Sequence, residues 1–166
     1  MQIGVQVKYD LSALKQALSM ESALPFIAKA YEAWATIYRA AMQERFVAFS
    51  RGGGNWPELS PRTLLKKRRG GKSAAILRDT GILFGTLNPT FGQPGQHQFI
   101  LPNGVEVGFS EGSSYSDGSS VADIARYHQF GMGHNPVREI LVQPSDKTIQ
   151  LMGDVMVQAI GDALNA

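Results

Sequence analysis

The chain has 166 residues, a length typical of one domain that can bury a hydrophobic core. It contains no cysteine, which excludes disulfides and thiolate metal sites, and its formal net charge of +2 does not by itself call for a nucleic-acid partner. The N-terminus lacks the apolar run of a signal peptide, and no apolar stretch is long enough to span a membrane. We therefore expect one domain over residues 1–166, made in a reducing cytoplasm.

The first part of the chain is patterned as one strand followed by helices. Apolar residues alternate with polar ones over residues 3–7, which predicts a strand. Asp10 is expected to cap a short helix over residues 11–18, and a long helix is expected from Pro25 to about Phe49. The long helix carries an apolar stripe at spacings of three and four, made of Ile27, Tyr31, Trp34, Tyr38 and Ala41. We interpret this stripe as core packing.

A polar segment over residues 50–75 follows the long helix, and we expect it to be a flexible basic loop. Trp56 precedes a proline and is expected to cover one end of the core. Ser60 and Pro61 have the residue types of a helix cap and a first helical residue, which predicts a short basic helix through Lys67.

The second half of the chain predicts a hairpin and two further helices. Phe99 and Leu101 stand two residues apart before Asn103-Gly104, and Val105, Val107 and Phe109 follow it at period two, the pattern of a hairpin. A short helix is expected over residues 121–130, and a C-terminal helix is expected to begin at Ser145. The last helix carries the apolar stripe Ile149, Met152, Met156, Ile160 and Ala163. The predicted fold class is α+β, with long N-terminal helices and a C-terminal helix on a small antiparallel sheet, joined by long mobile loops.

Seven of the sixteen basic residues lie between Leu59 and Arg78, where there is no acidic residue. Such a cluster favours contact with DNA phosphates or with an acidic protein. Gly71-Lys72-Ser73 is similar to the end of a phosphate-binding loop, but Lys66 stands where that loop needs glycine, so no nucleotide site is predicted. The candidate contact residues are Arg62, Lys66, Lys67, Arg68, Arg69 and Lys72.

The three histidines are the natural candidates for catalysis or metal binding. His97, His128 and His134 are ligands that zinc accepts, but the last two are six residues apart across a glycine-rich turn, which fits no common zinc motif. No nucleophile elbow and no paired carboxylates are present. We predict no catalytic residue, no metal and no cofactor; the competing hypothesis is a hydrolase that uses His128.

The segment over residues 124–141 contains two histidines, two glycines and Arg138. His128 and Gln129 are expected to hydrogen-bond the backbone across a turn, with Tyr127 and Phe130 anchoring it. Arg138 is expected to bind a buried carboxylate or carbonyl. The motif residues of this segment are His128, Gln129, Phe130, Gly131, Pro136 and Arg138. We interpret the segment as a structural corner.

Motifs in a fixed order carry a resemblance to a known family. They are Trp56, Pro57, Leu59, Ser60 and Thr63, then Leu77, Thr80, Gly81 and Leu83, then Val105, Val107 and Gly108, then residues 127–131, and finally Pro136 and Arg138. Over roughly residues 45–145 the chain resembles the phage virion morphogenesis family, the tail-completion proteins of Mu-like tailed phages. It departs from that family at Asn135 and at Glu139-Ile140, where members often carry bulky apolar residues or proline.

The resemblance implies a non-enzymatic role in tail completion and head–tail joining. It implies a protein that is made in the host bacterial cytoplasm, is located in the virion, and assembles with itself, in a ring, and with other tail or neck proteins. A ring around the DNA path would give the basic segment either DNA or an acidic neighbour to contact. The alternative is a nucleic-acid-binding module that contacts phosphates through residues 62–72.

Overall fold

The computed structural model describes residues 3–8, 20–112 and 115–165, and these form an α+β fold, as predicted. The elements in chain order are β1 (Ile3–Lys8), α1 (Met20–Ser50), α2 (Pro61–Arg69), α3 (Ile82–Gly85), β2 (Gln96–Leu101), β3 (Gly104–Phe109), α4 (Val121–Phe130) and α5 (Asp146–Leu164). The helix predicted over residues 11–18 lies outside the described residues. None of the described helices is long and apolar enough to cross a membrane.

The long helix α1 forms the centre of the core. Its predicted apolar stripe is confirmed, since Tyr31, Trp34 and Tyr38 are each only 1% exposed. The Trp34 indole N–H donates to the Met152 carbonyl at 2.6 Å, and the Tyr38 hydroxyl donates to the Val142 carbonyl at 2.8 Å. These two bonds satisfy buried polar atoms and tie α1 to α5 and to the segment before it.

The predicted start of α1 at Pro25 was wrong, because the helix begins at Met20 and includes the proline. Proline has no N–H to donate to the carbonyl of Glu21, so one helical hydrogen bond is missing there. The proline lies near the beginning of a helix of 31 residues, where packing of the later turns supplies the stability.

The three described strands form an antiparallel sheet in the order β1-β3-β2. Leu101 pairs with Gly104, so the predicted hairpin is confirmed with a two-residue loop. β3 points Val107 and its other apolar side chains into the core, and its register turns Phe99 of β2 to the opposite face, where it is 59% exposed. The prediction that Phe99 belongs to the buried alternation was therefore wrong; Gln98, opposite Val107, faces inward.

The cap predicted at Ser145 is present at the start of α5, and Ser120 caps α4, a role that was not predicted. The Ser120 hydroxyl accepts from the Asp123 N–H at 3.0 Å at the start of α4, and the Ser145 hydroxyl accepts from the Thr148 N–H at 3.3 Å at the start of α5. Gly131 ends α4 with a φ of +65°, a conformation that favours glycine. Both helices therefore begin and end where their sequence signals lie.

Candidate functional site

Motif residues that are far apart in the sequence line one cleft of about 490 Å³. One wall comes from the chain around α2 and α3, and the other from α4 and the loop after it. The motif residues that line the cleft are Leu59, Ser60, Thr63, Leu77, Thr80, Leu83, His128, Pro136 and Arg138. Gly81 lies beside them, with a φ of +83° in the predicted turn before α3. Most of the ordered motifs are thus neighbours in the fold, whereas the motif Val105, Val107 and Gly108 lies on β3 and does not line the cleft.

Arg138 joins the two walls of this cleft. Its guanidinium is buried and donates through Nε and Nη2 to the Pro57 carbonyl, at 3.1 and 2.8 Å, with a longer bond of 3.3 Å to the Glu58 carbonyl. Its backbone N–H donates to the His128 carbonyl at 2.7 Å. The prediction that this arginine binds a carbonyl edge is confirmed, and burial lowers its pKa from the ordinary value.

Gln129 fixes the chain that follows Arg138. Its Oε1 accepts from the backbone N–H groups of Ile140 and Leu141 at 2.7 and 3.0 Å. Its Nε2 donates to the Leu141 carbonyl at 2.8 Å. One side chain thus satisfies three backbone groups that no helix or strand would otherwise pair, as predicted for a structural corner.

Trp56 closes the corner from the side of α1. Its ring packs edge to face on Phe46 and Phe49, with centroids 5.2 and 5.6 Å away, and it is 6% exposed. Its indole N–H donates to the Glu139 carbonyl at 3.2 Å, and the Arg45 guanidinium donates to the same oxygen. The prediction that Trp56 covers one end of the core is confirmed.

His128 lines the cleft together with Ser60 and Thr63. Its Nδ1 is buried without a hydrogen bond, and burial, together with the Arg138 charge, lowers its pKa to about 4. The imidazole is therefore neutral at pH 7. The nearby hydroxyls of Ser60 and Thr63 bond each other at 2.9 Å, and the Ser60 hydroxyl caps α2 by accepting from the Thr63 N–H at 3.2 Å.

The three histidines do not come together. His134 is exposed at the mouth of the cleft, whereas His97 lies on β2 with its Nε2 3.0 Å from a Glu106 oxygen. Over the described ranges, no group of three or more histidine, cysteine, aspartate or glutamate side chains could hold a metal ion.

The predicted anchoring role of Tyr127 and Phe130 was wrong. They are 42% and 62% exposed, because α4 packs inward through the small face that contains Ala122 and Ala125. Two further apolar residues, Met132 and Val137, are 42% and 52% exposed in the following loop. Neither residue was predicted to be exposed, although Met132 lies between two glycines and Val137 directly follows a proline, which is a usable signal of a surface turn. We call the exposed set Tyr127, Phe130, Met132 and Val137 the corner patch.

The basic segment contains the predicted helix α2, which Ser60 caps and Pro61 begins. Lys67 was wrongly assigned to the exposed cluster: it is 8% exposed and donates from Nζ to the Ala75 carbonyl at 2.8 Å and the Arg78 carbonyl at 3.4 Å. Lys72 forms an ion pair with Asp79. Of the six predicted contact residues, Arg62, Lys66, Arg68 and Arg69 stay exposed without an ion pair in the described part of the chain. The mobility expected for residues 50–75 stays a prediction.

The corner as a whole binds its own backbone. The polar atoms of Trp56, Gln129 and Arg138 that hydrogen-bond in the corner bond peptide groups of other segments. No family model, curated protein or solved structure matches the chain.

Proposed function

We propose that the chain is a structural protein of bacteriophage virion morphogenesis, without enzymatic activity. In this proposal it acts in tail completion and head–tail joining, as a ring-like homo-oligomer that contacts other tail or neck proteins. The observation that carries the proposal is the corner: nine of the ordered motif residues line one cleft there, and Gln129 and Arg138 bond backbone groups of separate segments. Side chains that bond the backbone of separate segments hold the surface in one shape, and an assembly protein contacts its neighbours through such a surface.

The surface beside the corner supports the same proposal. Phe130 is the most exposed member of the corner patch, and its neighbours in the patch are also apolar and exposed. Exposed apolar patches mark binding surfaces more often than isolated apolar residues do. The buried hydrogen bonds of Gln129 and Arg138 hold this surface in one shape before any partner arrives, which lowers the entropic cost of docking.

The test is to delete the gene from the phage or prophage that encodes it and to image the particles. We expect separate heads and tails and a loss of infectivity, both restored by the wild-type chain. Complementation with Phe130→Ser should fail while that variant still folds, and Phe99→Ser, at another exposed aromatic residue, serves as the matched control. Joined, infectious particles made without the protein would contradict the proposal.

A second candidate function is contact with nucleic acid, favoured by the exposed cations of α2. Arg62, Lys66, Arg68 and Arg69 lie on one short helix that has no acidic residue. Phosphate contacts of this kind predict binding to duplex DNA that weakens steeply with salt. Replacing all four residues by glutamine should abolish a gel shift at low salt. No shift of the wild-type chain under those conditions removes this candidate.

A further inference from the structure

The outward face of α2 combines positive charge with one apolar side chain. Arg62, Leu65, Lys66 and Arg69 follow each other at spacings of three, one and three, which places them on one side of the helix. All four are exposed, and Leu65 is 54% exposed. The three cations have no ion pair within the described part of the chain. This basic face therefore has no ion-pair partner among the residues that the structure describes.

Helix α5 has a second face of the opposite kind. Its buried side includes Met152 and Met156, whereas Asp154, Val157 and Leu164 share the outward side. Val157 is 70% exposed and Leu164 is 66% exposed. The helix carries three exposed aspartates, at 146, 154 and 162, against one exposed lysine, so its surface is acidic. Because α5 has apolar residues on two sides and only the Met152 side packs on the core, its other side is available to a partner.

The basic face and the C-terminal part of the acidic face lie at opposite ends of α1, whereas the first turns of α5 lie beside Met42 and Arg45. Leu64 of α2 shares a cleft with Ser50, the last residue of α1, whereas Asp162 of α5 shares a groove with Lys29 near the other end. At 1.5 Å per residue, Lys29 and Ser50 are about 30 Å apart along the helix. The part of the acidic face around Asp162 is therefore too far from the basic face to meet it within one copy.

We infer that the basic face of α2 in one copy docks on the acidic outward face of α5 in a second copy. The charges are complementary, and Leu65 supplies an apolar contact for Val157 and Leu164. Because the two faces differ, the contact is head to tail, and its repetition closes into a ring when the rotation allows. This inference rests on the proposed function, since it names the surfaces through which the chain assembles with itself.

The experiment is a charge exchange followed by mixing. One variant carries Arg62→Glu, Lys66→Glu and Arg69→Glu, and the other carries Asp154→Lys and Asp162→Lys. Each alone should lose self-association on the order of tenfold or more, because like charges then face each other. Their mixture should associate again in alternating order, since each reversed face finds an opposite charge. Light scattering at low salt measures all three samples, and association of the wild type should weaken as salt rises.

The mixture also separates lost contact from lost folding, because misfolded chains would not recover on mixing. Glu32→Lys with Glu44→Lys, at exposed acids of α1, is the matched control and should associate like the wild type. Reversed variants that keep the wild-type mass overturn the contact, as does a wild-type chain that is monomeric at its highest soluble concentration. Either result leaves the virion role to the deletion experiment. Loss of DNA binding without a change in mass assigns the basic face to nucleic acid instead.

Discussion

The corner and the basic helix contain the same kinds of cation and use them in different ways. In the corner, the Arg138 guanidinium is 4% exposed and binds peptide carbonyls. On α2, Arg68 and Arg69 extend into solvent without an ion pair in the described part of the chain. An arginine can therefore connect segments inside the fold or stay exposed for contact with a partner, and its surroundings decide which.

Helix α2 itself contains both a buried cation, Lys67, and exposed cations. Lys66 and Arg68 are exposed, whereas the amine of Lys67 between them lies against two carbonyls. The helix turns about 100° between successive residues, so one lysine of a basic run faces inward while the next faces outward. The basic run of the sequence thus contains more cations than the exposed surface of the helix does.

The largest expected effect is at Trp56, where the corner meets the core. Trp56→Ala should lower the free energy of unfolding by about 3–5 kcal/mol, because it removes a buried ring packed on Phe46 and Phe49. Trp56→Phe keeps part of the packing but loses the bond to Glu139, so its loss should be smaller. Urea unfolding measures both. Equal, small losses would show that the corner does not depend on this ring.

Gln129→Ala is expected to follow, with a loss of about 2–3 kcal/mol, because buried backbone groups of Ile140 and Leu141 would lose their partners. Gln150→Ala, at an exposed glutamine of α5, is the control and should change stability little. Hydrogen exchange at the two amides should also become faster in Gln129→Ala. Unchanged exchange there contradicts the role assigned to this side chain.

The two adjacent lysines give the direct comparison between the regions. Lys67→Met should cost about 1–2 kcal/mol, because two carbonyls lose a charged donor. Lys66→Met, on the exposed side, should stay within about 0.5 kcal/mol of the wild type. Thermal or chemical unfolding of the pair decides whether α2 has a buried and an exposed cation.

The smallest expected effect is the change in stability with pH that the protonation of His128 causes. Its pKa in the fold is about 4, below the ordinary 6.5, so the unfolded chain binds a proton at a pH where the folded chain does not. Stability should therefore fall as the pH drops from about 6.5 towards about 4, by about 1 kcal/mol after allowing for partial exposure. His128→Asn should remove this part of the slope. A parallel pH profile of variant and wild type would contradict the burial of a neutral imidazole.

Much of the secondary structure could be predicted from local signals. The caps at Ser60, Ser120 and Ser145 and the hairpin before Gly104 are where residue type predicts them. Phe99 could not be predicted in the same way, because its direction depends on which residue of β3 it pairs with. The corner was predicted as structural, but its partners, the carbonyls of Pro57 and Glu139, have no side-chain signal in the sequence.

By itself, the sequence determined the α+β class, the core stripe of α1, the basic helix and the motif residues, because spacing and residue type act over a few neighbours. Only the tertiary structure decided that Lys67 is buried, that Phe99 and Phe130 are exposed, and that nine of the motif residues share one cleft. These outcomes depend on contacts between segments far apart in the chain. Such contacts form wherever they bury the most apolar surface and leave the fewest polar groups unpaired.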